Sequence, residues 1–126
     1  MLLLDSVLHF EADRVVCCAR PTESCIFARE HAIPAIVTLE YMAQATAVCL
    51  ALARPDCGSR GAFGLLVAAR RLTLKCAELA FDTDLTVVAA LTATLGEGAS
   101  FDCSVAAGGM NLASARLTVF VPSERA

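Results

Sequence analysis

The stretch that most limits what this chain can become is Pro34-Ala35-Ile36-Val37-Thr38-Leu39-Glu40-Tyr41-Met42-Ala43-Gln44-Ala45. It predicts a helix that is apolar almost all round, opened by a proline where prolines favour the first turn. The helix is expected to run to about Arg54 and to stop at Pro55, with Asp56-Cys57-Gly58-Ser59 as the loop beyond. Glu40 and Gln44, one turn apart, share a face. A helix apolar on every side is expected to be buried, and a buried carboxylate is either satisfied locally or driven toward its neutral form. Glu40 therefore reads as a group kept for chemistry, and Gln44 as the side chain that orients it.

Composition supports a small apolar domain around that helix. At 126 residues the chain suits one domain with one core. Hydrophobic residues make up 57% and charged ones 18%. That excess predicts an apolar subunit interface, hence a homodimer or larger oligomer. The uncharged run Tyr41–Ala53 falls short of the roughly 20 apolar residues of a membrane span, so no span is expected. The opening residues do not read as a secretory leader, and a cytoplasmic setting is expected.

Seven cysteines (17, 18, 25, 49, 57, 76 and 103) are an odd number, and none forms a CxxC pair. They read as small buried hydrophobes in a reducing compartment. His9 and His31 have no cysteines at metal-ligand spacing, so no metal is expected. The vicinal Cys17-Cys18 pair reads as a strand with one thiol per face. A net charge of −3 with no basic block argues against nucleic acid as a partner. The local exception is Arg70-Arg71 with Lys75, and Arg54 and Arg60 upstream. This cluster reads either as a solvated strand edge or as a surface for an acidic partner.

Leu2–Phe10 and Arg14–Ala19 read as strands, Pro21 to Glu30 as loop, and everything after the helix as β. Phe63–Lys75 is expected to set Arg71, Thr73 and Lys75 on one face and Leu72 and Leu74 on the other. Leu85–Leu95, Phe101–Ala106 and Leu112–Val121 follow, separated by Gly96-Glu97-Gly98 and Gly108-Gly109. One long helix among six or so antiparallel strands predicts an α+β hotdog fold over 1–126. In it a curved antiparallel sheet wraps a central helix, and a second subunit covers the exposed edges.

The Pro34–Ala45 segment also resembles the helix of the 3-hydroxyacyl-[acyl-carrier-protein] dehydratases. There a Pro-Gly dipeptide precedes a catalytic Glu at the same spacing and Ala-Gln follows at the same offset. The Glu40-Tyr41-Met42-Ala43-Gln44-Ala45 version is most similar to the divergent ApeP-like branch associated with aryl-polyene biosynthesis. Met1-Leu2-Leu3-Leu4-Asp5 with Val7-Leu8, Leu65-Leu66-Val67 leading into Arg70-Arg71, and Ser100-Phe101-Asp102-Cys103 agree with that branch. Four departures stand out. The main branch places its catalytic His where this chain has Ile26, leaving His31 as the nearest imidazole. Ala35 stands where the family has Gly. Phe81-Asp82-Thr83-Asp84 replaces a Pro-Gly-Asp turn, and this sequence begins after the family's Leu-Pro-His-Arg-like segment, so that either the true start lies upstream or the segment is absent.

The resemblance implies dehydration of a 3-hydroxyacyl thioester without a cofactor. The substrate would arrive on the phosphopantetheine arm of an acyl carrier protein, with Arg70, Arg71 and Lys75 as the carrier contact. A base must remove the α-proton and an acid must protonate the departing hydroxyl. His31 and Glu40 are expected to be that pair, with the N–H groups of Ala35 and Ile36 facing the thioester oxygen. Two other readings stay open: a hotdog thioesterase in which Glu40 activates water, and a weakly catalytic or non-catalytic subunit that needs a second hotdog partner. Tyr41 reads as a packing residue, and His9 as exposed or paired across strands.

Overall fold

The structure is a computed structural model, which describes residues 3–53 and 65–120. Strands β1 (Ser6–Glu11), β2 (Arg14–Ala19) and β3 (Ala32–Pro34) lead into a 3-10 turn at Ala35–Val37 and helix α1 (Thr38–Ala53). Five strands follow: β4 (Leu65–Leu74), β5 (Glu78–Ala80), β6 (Leu85–Leu95), β7 (Gly98–Ala107) and β8 (Met110–Phe120). Six of the eight form one antiparallel sheet in the order β1-β2-β6-β7-β8-β4. Arg54–Gly64, and with them the expected helix stop, the loop after it and the upstream basic residues Arg54 and Arg60, lie outside the described residues.

Period-two alternation builds the sheet. Val87 and Ala89 on β6, Phe101, Cys103 and Val105 on β7, and Ala115, Leu117 and Val119 on β8 are buried, while their neighbours turn outward. The tight β7–β8 turn needs left-handed backbone, which Gly108 (φ 55°) and Gly109 (φ 81°) supply. Helix α1 lies on the inner sheet face against β2, β6, β7 and β8, and its Met42, Ala45 and Cys49 enter the core. The expected hotdog fold is therefore the one observed. By length and composition Ala35–Leu52 is apolar enough to cross a membrane, which the reading of Tyr41–Ala53 alone missed. In this fold that segment is the helix the sheet packs upon.

Two features were not legible in advance. Ala32–Pro34 pairs with Glu78–Ala80 as a second, two-stranded sheet that clamps the approach to the helix. Each strand is three residues long, too short to show a period. In β4 the expected alternation is broken by a bulge between Arg70 and Thr73, where Arg71 adopts φ 54°. Leu74, expected to share a face with Leu72, is consequently 38% exposed. Cys17 is buried and Cys18 half-buried, one thiol per face as expected, and the cysteines among the described residues are free thiols.

Candidate active site

Pro34 ends β3 and turns the chain into the helix. The Ala35 N–H donates to the Ala77 carbonyl at 2.9 Å, and the buried Thr38 hydroxyl donates to the Ala35 carbonyl at 2.7 Å. These bonds lock the first turn, and they correct one expectation. The Ala35 amide already has a partner within the chain and is not a free donor for a substrate oxygen. At Ile36, helix geometry leaves the N–H without an intrahelical partner, and the residue is 53% exposed.

Beside this turn lies a cavity of about 760 Å³, lined by Ile26, Phe27, Arg29, Ile36, Leu39 and Glu40 among others. Glu40 is exposed at its lip, not buried as an all-apolar helix implied. The reason is that the sheet covers only one side of α1, so the opposite stripe meets solvent within a single chain. Gln44 does hold Glu40: its Nε2 donates to Glu40 Oε2 at 3.2 Å, while its own Oε1 accepts the Leu3 N–H at 2.6 Å.

The other expected residues are distributed differently. His31 does not line the cavity; its side chain is 90% exposed, and its Nε2 lies 3.9 Å from Glu30 Oε2. Ile26 does line the cavity, so the position where the main branch carries its His is in place and occupied by an alkyl group. Arg29, which the sequence did not single out, brings the cavity's guanidinium. The Arg29 backbone N–H donates to the Ala32 carbonyl at 2.9 Å, closing the turn into β3. Only the pairing of β3 with β5 could have signalled that this loop faces the helix.

Arg70 and Arg71 on β4, and Lys75 just beyond its end, are exposed and do not line the Glu40 cavity. Arg71 instead borders a cleft of about 220 Å³ with Asp102, Ser114 and Arg116. Arg116 Nε donates to Asp102 Oδ1 at 2.9 Å, and that hydrogen bond raises the arginine's pKa. Away from the cavity, Tyr41 is buried, and loss of hydration pushes its phenol up to about 12. The exposed His9 pairs with Glu11 on its own strand at 3.0 Å and lowers that carboxyl's pKa. Among the described residues no cluster of His, Cys, Asp and Glu is disposed to hold a metal.

One helix on an antiparallel sheet, with a carboxylate and a carboxamide one turn apart over an apolar cavity, places the chain among the hotdog proteins. It matches the ApeP-like family, described as ApeP dehydratase, over residues 1–126 and belongs to that family. The protein is a hotdog dehydratase. Among solved structures it is similar to the dehydratase heterocomplex ApeI:P from Xenorhabdus doucetiae, with TM-score 0.84 and 21% identity over 98% of this chain and 84% of that one. It is also similar to a hypothetical thioesterase with coenzyme A from Streptococcus pneumoniae TIGR4, with TM-score 0.75 and 15% identity over 96% and 88% of the two chains. Zebra fish thioesterase superfamily member 2 has TM-score 0.72 and 18% identity over 92% and 80%. At these identities the structures share the fold. No curated protein sequence matches the chain.

Proposed function

We propose that this chain dehydrates a 3-hydroxyacyl thioester, delivered on the phosphopantetheine of an acyl carrier protein, to the trans-2-enoyl thioester. The observation that carries the reading is Glu40, held by Gln44 at the lip of an apolar cavity and one turn from the Ile36 amide. The thioester oxygen would sit toward the Ile36 N–H, where the helix start favours developing negative charge. A base removes the α-proton, the electron pair forms the double bond, and the Glu40 carboxyl protonates the departing hydroxyl, which leaves as water. An acyl chain or a second subunit closing over the cavity would exclude water from the reacting groups. Arg70, Arg71 and Lys75 remain the proposed contact for the acidic carrier.

The base is the open position. His31 would reach a Glu40 only across a subunit boundary, and Ile26 brings no proton acceptor into the cavity of its own chain. These placements favour a hotdog oligomer in which a second subunit, either another copy or a related chain, completes the site. The dehydratase heterocomplex among its structural relatives supports the related-chain form. The test is to follow interconversion of crotonyl and 3-hydroxybutyryl thioesters alongside release of free thiol. Dehydration by the chain alone that falls on the order of 10²–10⁴-fold in His31→Ala supports His31 as base. Dehydration only after addition of a related hotdog subunit assigns the base to that partner. Thiol release in place of enoyl formation would overturn the dehydratase reading in favour of a thioesterase.

A further inference from the structure

We propose that the Tyr41 hydroxyl heads a second subsite, which binds the nearer amide of a pantetheine arm. This rests on the reading of a thioester substrate carried on phosphopantetheine. Tyr41 follows Glu40 on α1 but faces a different cleft, of about 280 Å³, lined by Asp5, Arg20, Cys25 and Ile26 among others. Ile26 also lines the Glu40 cavity, so the two spaces meet at that side chain. Tyr41 is 1% exposed, and no described residue hydrogen-bonds its hydroxyl. The groups whose charge opposes its ionisation, Cys25 and Asp5, both line the cleft, which turns the hydroxyl end of the ring toward it. A phenol so nearly enclosed and without a partner is costly, and an acceptor from a ligand relieves that cost.

Most other polar groups of the cleft are already matched within the chain. The Thr22 and Ser24 hydroxyls share a bond of 2.8 Å, and Arg20 Nη1 donates to Asp84 Oδ1 at 3.2 Å. The Arg20 backbone N–H donates to Asp5 Oδ2 at 2.7 Å, which leaves Asp5 Oδ1 as an acceptor in the same cleft. Arg20 and Asp5 balance as charges there, so a neutral polar ligand fits better than an anion. A secondary amide is the complement of what remains: its carbonyl accepts from the phenol and its N–H donates to the carboxylate. In a pantetheine thioester two methylenes separate the sulfur from such an amide. An acyl group in the Glu40 cavity therefore carries the amide past Ile26. The loop that bears Ile26 is set in advance, since the Cys25 N–H donates to the Thr22 carbonyl at 3.1 Å and the Ala28 N–H to the Cys25 carbonyl at 2.9 Å.

Tyr41 is the only tyrosine in the sequence, so labelling the tyrosine of this chain gives one ring signal by NMR, with whatever subunit its activity requires in place. Pantetheine is expected to move that signal saturably, whereas an alkyl thiol without amides should not. By calorimetry, pantetheine should bind Tyr41→Phe roughly tenfold more weakly than wild type, the effect of one lost hydrogen bond. In turnover, Tyr41→Phe should raise KM for a pantetheine thioester roughly tenfold with little change in kcat, and shift KM for an alkyl thioester far less. A ring signal that pantetheine leaves in place, or equal affinity in the two proteins, would overturn the proposal. The thermal midpoint should be the same in both, because the hydroxyl has no partner in the chain to lose. A lowered midpoint in Tyr41→Phe would reveal such a partner and also overturn it. If pantetheine binds through Tyr41 and no enoyl thioester forms, the subsite stands and the proposed dehydration fails.

Discussion

The two sides of helix α1 have nearly the same composition and opposite fates. Toward the sheet, Met42, Ala45, Thr46 and Cys49 meet Cys17, Val87, Phe101 and Cys103, and all eight are buried. Even the polar members are matched there, with Thr46 Oγ1 3.4 Å from Cys103 Sγ. Away from the sheet, Glu40 and Ala47, with Ile36 just before the helix in the 3-10 turn, are exposed, although two of the three are apolar. What separates the sides is contact with β2, β6, β7 and β8, not hydrophobicity. An apolar stripe left open and centred on a carboxylate is how a helix can be both the core of a domain and one wall of a site.

The contrast is tested most severely in the core. Phe101→Ala should cost about 3–5 kcal/mol of folding stability by denaturant titration, because the ring is fully buried and its cavity cannot be refilled. Ile36→Ala on the open side should stay within about 0.5 kcal/mol of wild type. Equal losses for the two would mean that both sides are structural.

Glu40→Gln is expected to lower dehydration on the order of 10²–10⁴-fold while the denaturation midpoint barely moves. The exposure of Glu40 makes this sharper than for a buried acid, since no desolvated charge is removed from the core. A variant that failed to fold would make Glu40 structural.

Titration of the buried side should weaken the protein in alkali. Burial pushes the Cys103 thiol up from an ordinary value of 9.0 to about 11, and the Tyr41 phenol from 10.0 to about 12. In each case the native state retains a proton that the unfolded chain releases. Their stabilisation is therefore complete below pH 9 and lost as pH rises through about 11 and then about 12. Unfolding midpoints that stay level from pH 8 to 12 would contradict this burial. The smallest effect is expected at the solvated Arg116–Asp102 pair. Arg116→Ala there should leave the denaturation midpoint almost unchanged, and any small difference from wild type should shrink as salt is added.

Much of this fold was legible because its signals are local. Leu85–Leu95 has the observed bounds of β6, since an unbroken run of Leu, Val, Thr and Ala lies there between turn residues. The Glu40–Gln44 bond follows from a four-residue spacing on any helix. The three-residue strands β3 and β5 carried no period, and the bulge at Arg71 has no glycine to mark it. Reading the helix as buried on all sides was the largest error, because periodicity reports which residues are apolar and not which of them meet a neighbour.

The sequence by itself determined a helix opened by Pro34, the long strands around it, and a carboxylate and a carboxamide sharing a helix face. Each of these depends on residues within a turn or a strand of one another, and such interactions survive any tertiary context that keeps the element. Only the tertiary structure decided that Glu40 lies open at a cavity, that Ala77 takes the Ala35 amide, and that Ile26 and Arg29 face the cavity while His31 does not. It also decided that Leu3 reaches Gln44. Those outcomes join segments far apart in the chain, and their energies depend on which surfaces the sheet has already covered.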